Sequence, residues 1–228
     1  MSNTFRKSKF IDFNEGSVII SPLDLKESTP KPWSLEDKIN IFECRVEVWQ
    51  LGVAVEILKE IEAHDIPSIW SHAGFSLISV AFSYFEMIGK SLNPNSRKSG
   101  TAGEDFNWGF CDVYKEYKPT LNSYKDKDIS PDVVGFRDRV RNGLYHLAYP
   151  KKDVGIHNED LISTKDFYIK NYSDVVEVRR VYWVNPHRMI RTIVDHFPTF
   201  IARLNDPSFI TLHVKFEEFF DKFHDPRG

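Results

Sequence analysis

The alternation of apolar and polar positions predicts a mainly helical chain. Apolar residues recur at helical spacing in long segments that open on good N-cap signals, such as Ser34 and the run Ser130-Pro131-Asp132. The predicted helices span about 34–63, 68–92, 104–117, 130–147, 186–204 and 208–223. Breaks fall at prolines and polar turns, which end helices for steric reasons.

Two parts of the chain depart from the helical pattern. Asp166–Lys170 and Val175–Val184 are rich in β-branched and aromatic residues and flank a polar turn at 171–174, which predicts a small β-hairpin. Residues 1–33 are mixed and interrupted by proline, so we predict an N-terminal arm with a short strand near 17–20. The expected architecture is one mainly α domain at 34–228, a helical bundle with the hairpin, at about 160–185, inserted before the C-terminal helices.

Composition supports a globular chain and limits the class of ligand. The sequence is 41% hydrophobic and 28% charged, with 18 Phe, so it can bury a sizeable core. Its net charge of -3 argues against a protein that coats nucleic acid but permits a small local site. Cys44 and Cys111 have neither metal-ligand nor disulfide spacing, so we expect buried thiols. No motif for a metal or a cofactor is present in the sequence.

The most apolar segment, Ile66–Leu92, is not expected to span a membrane. It carries His72, Glu86 and Lys90, and a bilayer-spanning helix of about 20 residues rarely tolerates such a set. The N-terminal residues have no apolar signal core, so the expected location is the cytoplasm.

The fourth predicted helix has an apolar face and a polar face. Its core stripe is formed by Phe136, Val140, Leu144 and Leu147. The opposite sector of the helical wheel carries Arg141, Asn142, Tyr145 and His146. Gly135 falls in the same sector, where it is expected to let a partner backbone or a substrate approach closely.

The second predicted helix carries one polar stripe on a largely apolar surface. The stripe consists of His72, Ser76, Ser79, Ser83, Glu86 and Lys90. One interpretation is a helix with a single hydrated face. The alternative is that the stripe faces the polar sector of the fourth helix across a groove.

These two helices resemble the HEPN family over about residues 34–149. The run Arg141-Asn142-Gly143-Leu144-Tyr145-His146 is similar to the family's R-x4-H signature, with a polar residue after the arginine. Glu86 and Lys90 resemble its Glu-x-x-x-Lys accessory motif, although Ser91 stands where an arginine often follows. Some HEPN toxins carry a tyrosine two residues after the histidine, where this chain has Ala148. An antitoxin or other regulatory partner therefore stays open.

The resemblance implies metal-independent RNA cleavage by a homodimer, in defence or stress response. It implies catalytic roles for Arg141, His146 and Asn142 and supporting roles for Glu86, Lys90 and Tyr145. Such cleavage uses the RNA 2′-hydroxyl as nucleophile and needs a base, an acid and positive charge on the phosphate. Histidine suits the proton transfers, and arginine offers a fork of donors to phosphate.

Geometry along one helix favours a site shared between two chains. Arg141 and His146 are about 140° apart on an ideal wheel, and one helix supplies a single histidine. A two-fold dimer through this helix would supply a second, so that one acts as base and the other as acid.

A local basic patch is expected to hold RNA beside this site. It consists of Arg137, Arg139, Lys151 and Lys152. Two other readings remain open: a non-catalytic HEPN-like protein that binds a nucleotide or a protein, and a purely structural dimer module. The remaining histidines are scattered and lack metal-ligand spacing.

Overall fold

Helices build most of the structure, which confirms the mainly helical class. The structure is a computed structural model that describes residues 33–64, 67–96, 101–120, 123–141, 143, 153–157, 166–173 and 178–224. Its helices are α1 (Leu35–Cys44), α2 (Gly52–His64), α3 (Pro67–Leu92), α4 (Ala102–Val113), α5 (Pro131–Phe136), α6 (Pro186–Asn205) and α7 (Ile210–His224). The predicted strand at 17–20 lies outside the described residues. Among the helices of the described ranges, none has the length and apolarity needed to cross a membrane.

The first helical segment begins where predicted but is not one uninterrupted α-helix. Ser34 and Asp37 form a reciprocal capping box that satisfies backbone N–H groups at the helix start. A π-helical turn, Arg45–Leu51, joins α1 to α2. It closes at Gly52, whose N–H donates to the carbonyl of Glu47; a Cβ at position 52 would lie 2.9 Å from that oxygen. Glycine thus permits the wide turn that apolar periodicity did not predict.

The central helix α3 lies backbone to backbone against α4. A Cβ on Gly89 would lie 1.6 Å from the carbonyl oxygen of Asp105, and one on Gly109 would lie 1.8 Å from that of Phe85. Both distances are far inside van der Waals contact. Because the two glycines face each other's helix, α3 and α4 approach more closely than side chains would allow.

Aromatic rings fill the space around this helix pair. Phe82 of α3 lies 5.0 Å from Phe106 of α4 and 5.1 Å from Phe136 of α5, measured between ring centroids. Phe136 stacks in turn on Phe167 at 4.6 Å, which joins α5 to the sheet. Cys111 lies buried in the same core, and Cys44 is also buried, as expected for free thiols.

The β-structure is a three-stranded sheet rather than an isolated hairpin. Its strands are β1 (Val154–Ile156), β2 (Phe167–Ser173) and β3 (Val178–Val184), in the order β1-β3-β2. The antiparallel pair β2–β3 confirms the predicted hairpin, but the predicted turn at 171–174 is wrong because Asn171 pairs with Arg180 and Tyr172 with Arg179. Strand β1 runs parallel to β3 and is too short to leave an alternating pattern.

Helix α5 opens as predicted and then widens. Ser130 accepts a hydrogen bond from the Asp132 N–H, and Pro131 occupies the first turn. The α-helix ends at Phe136 and continues as a second π-helical turn, Arg137–Arg141. Phe136 and Val140 are fully buried, which confirms the first half of the predicted core stripe. Beyond residue 141 only Gly143 is described before residue 153.

Tertiary contacts shorten the third predicted helix and fix the last two. Helix α4 ends at Val113, where Tyr114 leaves helical geometry, and the Tyr114 hydroxyl donates to Asp166 at 2.8 Å. Asn185 caps α6 through a hydrogen bond from the Arg188 N–H. The buried Lys38 of α1 pairs with Glu217 of α7 at 3.1 Å and with Asp221 at 2.9 Å, and these ion pairs fix the C-terminal helix against the first one.

Replacing Gly89 with alanine is expected to lower the free energy of unfolding by about 3 kcal/mol, or to prevent folding, because the added methyl overlaps a backbone carbonyl that cannot move alone. Urea unfolding monitored by circular dichroism measures the loss. Gly74→Ala on the same helix is the matched control: its Cβ would meet only side-chain atoms, the nearest 3.2 Å away on Ile156. Equal stability of the two variants would contradict the close-packing role of Gly89.

Candidate functional site

The polar stripe of α3 and the C-terminal end of the α5 segment meet at one ion pair. Arg141 Nε donates to Glu86 Oε1 at 2.5 Å. The Arg141 side chain is 20% exposed and the Glu86 side chain 15% exposed, so the pair lies at the surface edge of the core. The expected contact between the stripe of α3 and the fourth predicted helix is therefore present at these two residues.

Lys90 and Asp105 extend this pair into a group of alternating charges. Lys90 lies one turn beyond Glu86 on α3, and its positive charge acts on Asp105 of α4. Burial raises the pKa of Asp105, although the Asn93 hydrogen bond and the Lys90 charge oppose the rise. Asn93 Nδ2 donates to Asp105 Oδ1 at 2.6 Å and holds the carboxyl in place. Positive and negative groups thus alternate from α5 across α3 to α4.

The π-helical turn determines where Arg141 points. An ideal wheel advances by about 100° per residue, whereas a π turn closes its hydrogen bonds one residue later and advances less. Arg141 is the last residue of the turn Arg137–Arg141, and its side chain contacts Glu86 of α3. The wheel therefore overstated the angle between Val140 and Arg141.

Arg137 does not lie in a surface patch, and its enclosure argues against the predicted role as an RNA contact. Its side chain is only 7% exposed. Its guanidinium donates to both carboxylate oxygens of Asp126, at 2.7 and 2.8 Å, and also to Asp138 and Asn107. The hydrogen bonds from Arg137 hold the pKa of Asp126 below its usual range. Arg137 thus ties the loop around residue 126 to α4 and α5.

Gly135 accommodates a tyrosine of this chain, not the partner backbone or substrate that was expected. A Cβ at position 135 would lie 2.1 Å from the hydroxyl of Tyr182 on β3. Arg139 places its guanidinium carbon 5.0 Å from the centre of the same ring, within the range of a cation–π contact. Arg139 keeps partial exposure, so it remains in reach of a ligand.

Several predicted site residues lie outside the described residues. They are Asn142, Tyr145, His146, Lys151 and Lys152. The side chain of His72 is likewise not described. Their roles stay predictions. The serines of the stripe are described: Ser76 and Ser83 are exposed, and Ser79 donates its hydroxyl to the carbonyl of Phe75 at 2.9 Å.

A second polar cluster, which the sequence did not indicate, joins α3, α4 and α6. Tyr84 Oη lies 2.8 Å from His196 Nδ1, and His196 Nε2 lies 3.2 Å from Asp112 Oδ2. Arg203 donates from Nη1 to Asp112 Oδ1 at 3.0 Å. Tyrosine, histidine and carboxylate in series form a proton relay in principle, but Tyr84 is fully buried and cannot meet a substrate. The role of the cluster is therefore structural, because it links three helices.

Among the described residues, no group of three or more His, Cys, Asp or Glu side chains is placed to hold a metal ion. Comparison with protein-family models, with curated proteins and with solved structures finds no match to this chain.

We expect the Asp112 carboxylate to make the free energy of unfolding depend on pH. Burial alone would raise its pKa, but hydrogen bonds from His196 and Arg203 outweigh burial and hold the pKa well below its usual range. A carboxyl whose folded pKa is depressed stabilises the fold above its unfolded pKa of about 3.9 and loses that contribution as the pH falls further. Asp112→Asn is therefore expected to lower the free energy of unfolding by about 3 kcal/mol at pH 7 and by less in acid.

Urea unfolding between neutral and acid pH measures this dependence. Asp195→Asn is the matched control, because it removes a carboxylate from the exposed side of α6 next to His196. A constant difference in stability between Asp112→Asn and the parent at every pH would contradict the assigned charge state.

Proposed function

We propose that this protein is a metal-independent endoribonuclease of the HEPN type. The observation that carries the proposal is the Arg141–Glu86 pair, which fixes the arginine of the R-x4-H sequence at the surface edge of the core. A guanidinium carries five N–H donors in a rigid fork, and the bond from Nε fixes the plane of that fork. An arginine held in this way is preorganised to meet a phosphate.

The proposed reaction needs only side chains of this protein, supplied by two copies of the chain. A base removes the proton of the RNA 2′-hydroxyl, and the 2′-oxygen attacks the adjacent phosphorus. The bond to the 5′-oxygen breaks as an acid protonates it, which leaves a 2′,3′-cyclic phosphate and a 5′-hydroxyl end. Arg141 stabilises the charge that develops on the phosphate oxygens, and His146 performs proton transfer near neutral pH. Asn142 orients the phosphate or the histidine.

The neighbouring residues have supporting roles in this proposal. Glu86 holds Arg141, and Lys90 keeps positive charge beside the carboxylates of Glu86 and Asp105. Tyr145 belongs to the same proposed site. Arg139, Lys151 and Lys152 remain the proposed RNA contacts once Arg137 is withdrawn.

A non-catalytic binding protein is the second candidate function, and the same ion pair favours it in one respect. Glu86 already neutralises Arg141 within the chain, which lowers the positive charge offered to a phosphate. A protein that recognises a nucleotide or a protein partner in the groove would need no histidine chemistry. The two candidates therefore differ in what the histidine does.

Arg141→Ala and His146→Ala are each expected to lower RNA cleavage in EDTA by at least about a hundredfold, because one removes transition-state charge stabilisation and the other proton transfer. The measurement follows a labelled single-stranded RNA and identifies its cyclic-phosphate ends. Arg191→Ala is the matched control, since it removes an exposed arginine that also pairs with a glutamate, Glu62. Circular dichroism verifies that each variant folds.

Absence of cleavage by the parent protein, with RNA binding retained, would favour the binding protein. Cleavage that survives His146→Ala would contradict the proposed chemistry.

The proposed mechanism also requires a dimer, because one chain supplies a single histidine from this motif. The mass measured by light scattering at micromolar concentration is expected to be that of two chains, with or without RNA. A single-chain mass under both conditions, in a preparation that cleaves RNA, would contradict the shared site while leaving the activity in place.

A further inference from the structure

A cleft of about 400 Å³ lies between α2 and α6, away from the residues of the proposed ribonuclease site. Each helix contributes two apolar side chains to its lining: Val55 and Leu58 from α2, and Ile190 and Val194 from α6. Leu58 and Ile190 are buried and the two valines are half-buried, so these four side chains form the floor and lower walls of the cleft. Small-molecule sites in proteins have a volume of this order and a largely apolar lining.

Four charged side chains form the rim of the cleft. They are Lys59 and Glu62 of α2, and Arg191 and Asp195 of α6. Arg191 Nη2 donates to Glu62 Oε1 at 2.5 Å, and this ion pair joins the two helices. Lys59 Nζ lies 2.6 Å from Glu56 Oε1 on its own helix. Both cations of the rim are therefore already paired with carboxylates.

Asp195 differs from the other three rim residues because no hydrogen bond or ion pair reaches its exposed carboxylate from the part of the chain that the structure describes. Arg191 lies one turn before it on α6, at a spacing that commonly gives an ion pair, but Arg191 bonds to Glu62 instead. The two ion pairs at the rim are each neutral. The lining thus presents a ligand with one uncompensated negative charge, on Asp195.

This lining favours a ligand that has an apolar chain and one positive charge. A hydrocarbon chain between the helices would remove apolar surface of Leu58 and Ile190 from water. An ammonium group at the rim would donate charge-assisted hydrogen bonds to Asp195. An anionic head group would meet like charge there and would have to displace Glu56 or Glu62 from its cation. An uncharged head group would leave the charge of Asp195 uncompensated.

We infer that this cleft binds a primary alkylammonium ion, with its hydrocarbon chain between α2 and α6 and its ammonium group bonded to Asp195. A cavity of this volume holds a whole small molecule. The lysine side chain of a partner protein would fill only part of it, so the ligand is a free amine. The cleft shares no residue with the Arg141–Glu86 pair, and the inference does not depend on the proposed ribonuclease activity.

The test titrates the full chain, labelled with nitrogen-15, with hexylammonium chloride and follows the amide chemical shifts, which report both affinity and location. Two matched ligands keep the hexyl chain and change the head group: hexan-1-ol is neutral and hexanoate is negative. Hexylammonium is expected to bind about fivefold more tightly than hexan-1-ol, and hexanoate more weakly than either. The affinity is expected to rise about fourfold with each methylene from butylammonium to hexylammonium, because each one is buried on the apolar floor.

Asp195→Asn is expected to abolish the preference for hexylammonium over hexan-1-ol, because the amide has the same shape but no charge. Glu36→Gln is the matched control, since it removes one exposed carboxylate from α1 and changes the net charge by the same amount. Val194→Thr places a hydroxyl in the lining and is expected to weaken hexylammonium and hexan-1-ol alike, by about threefold. Circular dichroism verifies that each variant folds.

Several results would overturn the inference. They are the absence of saturable hexylammonium binding, equal affinity for hexylammonium and hexan-1-ol, and a preference for the amine that survives Asp195→Asn. Chemical-shift changes confined to residues outside α2 and α6 would also overturn it, because the amine would then bind elsewhere. Equal affinity for hexylammonium and Nα-acetyl-lysine N-methylamide would overturn the assignment to a free amine and indicate a lysine of a partner protein. None of these results depends on RNA cleavage.

Discussion

The close contact between the backbones of α3 and α4 at Gly89 and Gly109 is the constraint on which the rest of the structure depends. It sets the depth at which Phe106 can pack beneath α3, and it brings Asp105 within reach of the charge on Lys90. Helix α5 then packs on the aromatic surface that this pair creates. A wider separation of α3 and α4 would displace that surface and, with it, the end of the α5 segment that delivers Arg141.

The arginines of the α5 segment show how burial divides structural from reactive charge. Arg137 is surrounded by three acceptor side chains and has little exposed surface, so all of its bonding capacity serves the fold. Arg141 lies four residues later, in the same turn, and keeps part of its surface. Tyr84, His196 and Asp112 repeat the first case, because titratable groups that suit catalysis are here enclosed by three helices. Solvent access, and not residue type, separates Arg141 from Arg137 and from the Tyr84–His196–Asp112 cluster.

Much of the fold, but less of the site, was predictable from sequence. Long periodic segments such as α3 and α6 carry enough apolar positions for their ends to be predicted to within one residue. The caps at Ser34, Ser130 and Asn185 were predictable because they act through local hydrogen bonds. The π turns, strand β1 and the early end of α4 depend on contacts with residues distant in sequence, which periodicity does not contain. The same holds for Arg137 and His196, whose partners lie on other elements. Glu86 and Arg141 were placed together because both lie on strongly patterned helices.

The second π-helical turn bears on the direction of the arginine that opens the R-x4-H sequence. Such a turn contains one residue more than an α-helical turn, so it acts as an angular spacer between Phe136 and Arg141. The direction in which Arg141 points is therefore set by residues that precede it in the sequence. Insertion or deletion of a single residue in this turn would redirect Arg141, and it would also displace Val140 and Arg137, which are buried. The direction of Arg141 and the packing of the fold are thus coupled through one turn.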